Sequence, residues 1–251
     1  SIPYRVHRPT AEMLLKIWAN GGLAMGLPAL RMRPKPEFPF EEKPKEAWDE
    51  RDQEDFELWK AEMAEWYQEE RRHKSLALAT STLAQHLRDL GEAELYYPAR
   101  LDFRQRIYYT GSPNLQGQDS VKACLHFAEK KPLGPDGVFW LKVSIANCFG
   151  MDKDDFPVRA QWTTDNWELL VQGLQDPGDA PLWRECTDAP FGAYAAVGEL
   201  REAYLSGDPA SYCTGVPVHM DATCSGLQHF SALLRDLVGA YYTNLTSENT
   251  D

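Results

Sequence analysis

The chain has 251 residues, 43% of them hydrophobic and 12% aromatic, with a formal net charge of -12. That is enough apolar material for one large domain or two small ones, and it excludes disorder throughout. No apolar stretch approaches the roughly twenty residues that span a bilayer, and the N-terminus lacks the charged-then-apolar pattern of a secretory leader, so the expectation is a soluble, intracellular protein.

The first landmark along the chain is the proline-rich stretch RMRPKPEFPFEEKP, residues 31–44. From Lys45 to Leu90 there follow 46 residues with neither Gly nor Pro, ended by Gly91. Such a run predicts long helix, in one piece or two, with apolar stripes at Phe56, Trp59, Met63 and Trp66 and again at Leu83, Leu87 and Leu90. A fully helical run of that length reaches about 70 Å, so it projects as an arm or braces something. Its charge is uneven: residues 41–70 hold thirteen Asp or Glu and four Lys or Arg, net -9, which leaves -3 for the rest. Residues 71–125 hold eight basic and five acidic side chains, net +3, beginning with the knot Arg71, Arg72, His73, Lys74. Electrostatic footprints are local, so the overall sign excludes no nucleic-acid partner; a solvated helix face with internal charge pairs explains the knot equally well.

After Gly91 the stretch LDFRQRIYYTGSPNLQG reads as short extended segments joined by turns. VFWLKVSIANCF ends at Gly150, and NWELLVQGL and FGAYAAVGELREAYL read as helices. Five scattered cysteines, Cys124, Cys148, Cys186, Cys213 and Cys224, form no CxxC pair, which argues against a disulfide framework or zinc knuckle and for small, mostly buried apolar residues. In VPVHMD, Val216, Val218 and Met220 alternate with Pro217, His219 and Asp221 as in a half-buried strand. Leu227, Phe230, Leu234 and Leu237 then give the spacing of a helix packed on that strand. Asp221 at this junction is a helix cap or a hard oxygen ligand for a divalent cation. The chain starts at Ser1 and stops in the polar run NLTSENTD, and so reads as a piece of something longer.

DATCSGLQHFSALLRD, residues 221–236, resembles the first palm motif of bacteriophage-type and mitochondrial single-subunit DNA-dependent RNA polymerases. Upstream, YYPARLDFRQRIYYTGSPNLQGQDSVKACLHFA resembles that family's D-x-x-G-R segment, PLGPDGVFWLKVSIANCFGMDKDDFPVRAQW resembles the segment between, and the arm ending EERRHKS resembles the thumb, all in the expected order. The resemblance implies an α+β, mostly helical fold of the right-hand, A-family-like type: residues 1–35 the end of an N-terminal region, 36–92 a helical thumb, and 93–251 the first half of a palm, with the fingers and the remainder of the palm absent. It implies template-directed ribonucleotidyl transfer with two magnesium ions, acting on template DNA, nascent RNA and ribonucleoside triphosphates.

On individual residues, the resemblance makes Asp221 the first catalytic, metal-holding carboxylate, with the backbone carbonyl of Ala222 a second ligand. Gly226 falls where related DNA polymerases carry a glutamate that excludes a 2′ hydroxyl; close packing of the helix start accounts for a glycine there equally well. Arg71, His73, Lys74 and Ser75 fall on a thumb stretch that tracks the RNA:DNA hybrid. Asp102, Arg104, Arg106 and Lys122 fall near the RNA and template beside the active site. One position departs: Gln105 stands where the family has glycine, so a locally different backbone is expected there. The chain has no lysine after Lys153 and no His-Asp pair, so an incomplete enzyme, inactive alone, is expected. The alternatives are a non-catalytic nucleic-acid-binding remnant, one half of a split polymerase completed by a second polypeptide, and a cysteine hydrolase built on Cys224 and His229. Host cytoplasm is the expected location for a phage protein, the mitochondrial matrix for an organellar one.

Overall fold

The computed structural model describes residues 2–40, 44, 47–219 and 224–246. In chain order these form β1 (Tyr4–Val6), α1 (Arg8–Ala19), α2 (Glu50–Leu90), β2 (Ala99–Leu101), β3 (Ile107–Tyr109), α3 (Asp119–Lys122), β4 (Leu125–Phe127), β5 (Lys131–Pro132), α4 (Gly134–Cys148), α5 (Phe156–Asp165), α6 (Trp167–Gly173), α7 (Pro181–Arg184), α8 (Pro190–Leu205), β6 (Cys213–Thr214), α9 (Ser225–Leu234) and α10 (Leu237–Tyr242). The strands pair antiparallel as β1 with β4, β2 with β3 and β5 with β6. The fold is therefore α+β and mostly helical, as expected.

The glycine- and proline-free run becomes a single unbroken helix of 41 residues, about 60 Å long. It starts where it does because Asp49 and Asp52 cap each other reciprocally: Asp52 N–H donates to Asp49 Oδ1 at 2.9 Å and Asp49 N–H to Asp52 Oδ2 at 2.8 Å. Acidic side chains in this first turn also suit the positive end of the helix dipole. Gly91, at φ +50, ends it.

Each apolar stripe of α2 has its own cover. The proline-rich stretch folds back along the first half, where Phe38 packs on Trp59 with ring centroids 5.0 Å apart and Phe40 and Phe56 flank Trp48 at 4.7 and 4.9 Å. Trp66 Nε1 donates to the Arg33 carbonyl at 3.3 Å. In the second half Leu83, Ala84 and Leu87 enter a core with Met13, Leu14, Ile17 and Trp18 of α1, Cys124, and Phe191 of α8. A second core joins Leu141 and Ile145 of α4, Leu170 of α6, Trp183 of α7 and Ala196, Val197 and Leu200 of α8. Helix α8 thus touches both cores and binds the arm's root to the body.

Two expectations fail near the C-terminal end. The alternation in residues 216–220 gives no ladder beyond Thr214 among the described residues, and Val218 is 41% exposed. A strand needs hydrogen-bonding neighbours on its edge, and here β5 supplies them only as far as Thr214. The helix that follows does form, but it breaks at Arg235, φ +54, into α9 and α10. Its expected core stripe faces outward: Leu227, Phe230, Leu234 and Leu237 are 58–77% exposed. Spacing marks one face of a helix without supplying what covers it.

Of the side chains on α2, Leu87 is 5% and Leu78 69% exposed. Leu87→Ala should cost about 2–5 kcal/mol of stability through lost burial and the cavity left behind, whereas Leu78→Ala should stay within about 0.5 kcal/mol. Thermal or urea unfolding of the two variants measures the contrast.

Candidate functional site

The β2–β3 hairpin carries the most built of the candidate groups. Asp102 is partly exposed, and its carboxylate closes the turn. Oδ1 accepts the backbone N–H groups of Arg106 at 2.9 Å and Arg104 at 2.8 Å, while Oδ2 accepts Arg104 Nε at 3.0 Å. These bonds, that from the Arg106 N–H foremost, hold the carboxyl below its ordinary value against the opposing effect of desolvation. Asp102 therefore clamps the backbone at Arg104 and Arg106 and holds the Arg104 guanidinium. Gln105 sits at φ +60 between them. Gln105 thus enters the left-handed region that glycine reaches without steric cost, and bears strain that a glycine there would avoid.

The clamp leaves the Arg104 guanidinium 5.3 Å from the Phe103 ring centroid and 3.2 Å from Tyr108 Oη, and the Arg106 side chain is exposed. Phe103, at the tip, is 92% exposed. Sequence reasoning passed over Phe103, although an aromatic side chain between Asp102 and Arg104 in a tight hairpin was the available signal. A bare ring with one guanidinium beside it is a platform for stacking with planar groups, including nucleic-acid bases.

The arm's basic knot divides. Arg71 and Ser75 are exposed, with Arg71 Nε donating to the Tyr67 carbonyl at 3.3 Å. Lys74 is exposed and paired with Glu70 one helical turn away at 2.9 Å, an i,i+4 contact that contributes little to stability. His73 turns inward, its Nε2 donating to the Ala29 carbonyl at 2.7 Å. It holds the loop before the proline-rich stretch against α2.

Lys122 is placed by a different device. Asp119, at the start of α3, accepts the backbone N–H groups of Phe191 at 2.7 Å and Gly192 at 3.0 Å, fastening α3 to the start of α8. Burial raises the Asp119 carboxyl while these two bonds pull the other way. A Cβ at Gly192 would stand 3.1 Å from Asp119 Oδ1, so glycine suits this approach. Lys122 then lines a cavity of about 200 Å³ with Ser144, Asn147, Pro217 and His219. Desolvation first, and then the Lys122 ammonium, pushes the His219 imidazole below its ordinary value. The structure thus brings Lys122 to Pro217 and His219 of the segment that leads into Asp221, a pairing that sequence separations of 95 and 97 residues conceal.

Asp221 and Ala222 themselves lie outside the described residues. Among the described residues no three His, Cys, Asp or Glu side chains gather as a metal site, and no helix is long and apolar enough to cross a membrane.

A family model described as DNA-dependent RNA polymerase matches residues 131–251. The chain is 41% identical over 247 residues to the DNA-directed RNA polymerase of Pseudomonas phage phiKMV, an alignment that covers 98% of this chain and 30% of that protein. It is 32% identical over 258 residues to the mitochondrial DNA-directed RNA polymerase of Schizosaccharomyces pombe, covering 97% and 21% respectively. It is 34% identical over 193 residues to T7 RNA polymerase of Escherichia phage T7, covering 76% and 22%. The chain belongs to the single-subunit DNA-directed RNA polymerase family. It spans less than a third of the length of these relatives.

Within this polymerase family chain, Gly226 is the second residue of α9, and a Cβ there would meet nothing within 4 Å among the described residues. Its φ is not in the left-handed region, and residues 220–223, against which the packing account sets it, lie outside the described residues. The cysteine-hydrolase alternative gains no support: Cys224 and His229 are both exposed, and no hydrogen bond joins them among the described residues.

Three substitutions at two positions separate backbone demand from side-chain demand. Gln105→Gly should leave stability unchanged or raise it by up to about 1 kcal/mol, because strain relief outweighs the extra freedom of the unfolded chain, and Gln105→Val should cost about 1–2 kcal/mol. Gly226→Ala, near the start of α9, should raise stability by up to about 1 kcal/mol. Melting temperatures check all three; a large loss in Gly226→Ala would support the packing account.

Proposed function

We propose that this chain is the thumb and first palm half of a DNA-directed RNA polymerase, with residues 36–92 the thumb and 93–251 the palm portion. The observation that carries this reading is the 41% identity to a phage DNA-directed RNA polymerase along 98% of the chain. Template DNA, nascent RNA and ribonucleoside triphosphates are the ligands it implies.

In this reading the side chains divide the work. Arg104 and Arg106 present planar guanidinium forks that pair with phosphate oxygens, while Phe103 offers its face to an unstacked base. Arg71, Lys74 and Ser75 meet the backbone of the RNA:DNA hybrid along the arm; His73, committed to Ala29, acts by fixing the loop beneath them. Lys122 adds positive charge where the segment leading into Asp221 passes. Gly226 leaves room for a ribose 2′ hydroxyl.

Asp221 and the Ala222 carbonyl form a hard-oxygen pair of the kind that suits magnesium, which takes one or two carboxylates and fills its shell with water and phosphate oxygens. When bound, the metal supplies charge neutralisation at the reacting phosphate. The carboxylate's own task is to fix that charge beside the bases and phosphates that the hairpin and arm position.

Fluorescence anisotropy with an RNA:DNA hybrid tests the reading. Log affinity should fall linearly with log salt, and Arg104→Ala with Arg106→Ala should reduce the slope by about 2, near 0.9 for each phosphate left without its arginine. Magnesium should strengthen binding in the parent chain and not in Asp221→Asn, while template-directed extension by the 251-residue chain alone should be absent. Binding that responds to salt but neither to magnesium nor to Asp221→Asn would favour a non-catalytic nucleic-acid-binding module, and binding indifferent to salt and to both arginines would defeat the interface altogether.

A further inference from the structure

A cluster of ionisable groups that the polymerase reading does not use lies where β1, α1, β4, α8 and β6 meet. His7, between β1 and α1, is 5% exposed; its Nδ1 lies 2.7 Å from the Thr10 hydroxyl and its Nε2 3.3 Å from Glu199 Oε1 of α8. Tyr212, just before β6, donates its hydroxyl to Glu199 Oε2 at 3.3 Å, and Thr214 of β6 bonds the same carboxylate. One buried carboxylate, 8% exposed, thereby ties the N-terminal segment to α8 and β6.

His126 of β4 completes the cluster. Its ring meets that of His7 edge-on with centroids 5.5 Å apart, and its Nδ1 is buried with no hydrogen-bond partner among the described residues. Gly215 closes off that nitrogen: a Cβ there would stand 2.7 Å from Nδ1 and 2.4 Å from the Phe127 carbonyl oxygen. The site accepts a neutral imidazole and is badly built for an imidazolium.

We propose that this junction is an acid-released latch, in which protonation of His126 opens the contacts of β1 and α1 with β4 and α8 and so loosens the root of the long arm. The groups facing His126 are His7, Glu199 and Lys130, and the Val6 backbone bonds its ring. Glu199 is shared among His7, Tyr212 and Thr214, so it has little left to give a new cation. His7 and Lys130 oppose one. Burial first, and then these two neighbours, push His126 from 6.5 down to about 4. Glu199 is held below its ordinary value by the His7 and Thr214 bonds, although burial opposes them. Both shifts have one sign: the unfolded or detached segment binds protons more readily, so stability is lost as pH falls from about 6.5 toward 4.

Beyond the Glu199 contacts, the segment is held chiefly by the apolar face of α1 in the shared core, and its other polar side-chain ties are weak. The β1–β4 ladder pairs three residues on each side, and the Arg5–Glu94 and Arg8–Glu92 ion pairs are largely exposed and contribute little. Helix α1 buries its apolar face jointly against α2 and α8, so its detachment from α8 frees the arm's base with it. The latch would hold in this chain whether or not it serves a polymerase.

Hydrogen exchange on the full chain, corrected for intrinsic rates, tests the latch at pH 7 and pH 4.5. Amides of β1, α1 and β4 should lose protection by on the order of a hundredfold while those of α4 and the second half of α8 keep theirs. His126→Asn, which cannot take the proton, should remove most of that difference. An NMR titration of His126 in the parent chain stands independently of whether the variant folds and should show a midpoint well below 6. A midpoint near 6.5, a uniform loss of protection across both cores, or an unchanged pH response in a folded His126→Asn chain would each overturn the proposal.

Discussion

The burial of Leu83, Ala84 and Leu87 against α1 is the constraint on which the rest depends. A 41-residue helix with an acidic first half has no reason of its own to stay attached to anything; marginal isolated helices gain their stability from tertiary packing. Here α1 provides that packing on one side and rests on Phe191 of α8 on the other, so the arm, the N-terminal segment and the helical body share one core. The aromatic cover over the first half of α2 is a separate structure. It shields the outer stripe without tying it to the body, which leaves Arg71, Lys74 and Ser75 exposed between two anchored halves.

The same division explains how a chain of net charge -12 can present locally positive surface. The strongly acidic residues occupy the outer half of the arm, where Glu62 and Glu69 are partly engaged by Arg33. The hairpin arginines lie in the net-positive stretch beyond it. Within the hairpin, the charge of Asp102 is taken up by backbone N–H groups and by Arg104 Nε, so its presence aims positive charge outward instead of cancelling it. Field at a phosphate depends on such local arrangement far more than on the sum over the chain.

The long helix was legible because an absence, 46 residues without Gly or Pro, is a local property, and the β2–β3 hairpin because turn residues mark it. Relations across distance were not legible. His73 looks like one more member of a basic knot until Ala29, 44 residues earlier, accepts its hydrogen bond. Lys122 and His219 share a cavity that no spacing rule joins. The alternation at 216–220 and the stripe from Leu227 to Leu237 carry the right periods, yet among the described residues the one lacks ladder partners and the other a covering surface. Period encodes which side chains share a face; only a neighbour makes that face a core.

Two positions invert the usual logic of glycine, and together they say something about the site. Gln105 occupies a left-handed conformation that would suit glycine, and the strain persists because Asp102 fixes the residues on both sides of it. The hairpin's shape is therefore set by the clamp rather than by the residue at the turn. Gly226 is the reverse case, a glycine in a helix where neither conformation nor a crowding neighbour among the described residues calls for one. In one place the fold tolerates a side chain it does not want, and in the other it forgoes one it could easily hold. Both places lie on stretches that align with the phage DNA-directed RNA polymerase, and each departs from what local backbone preference alone would choose.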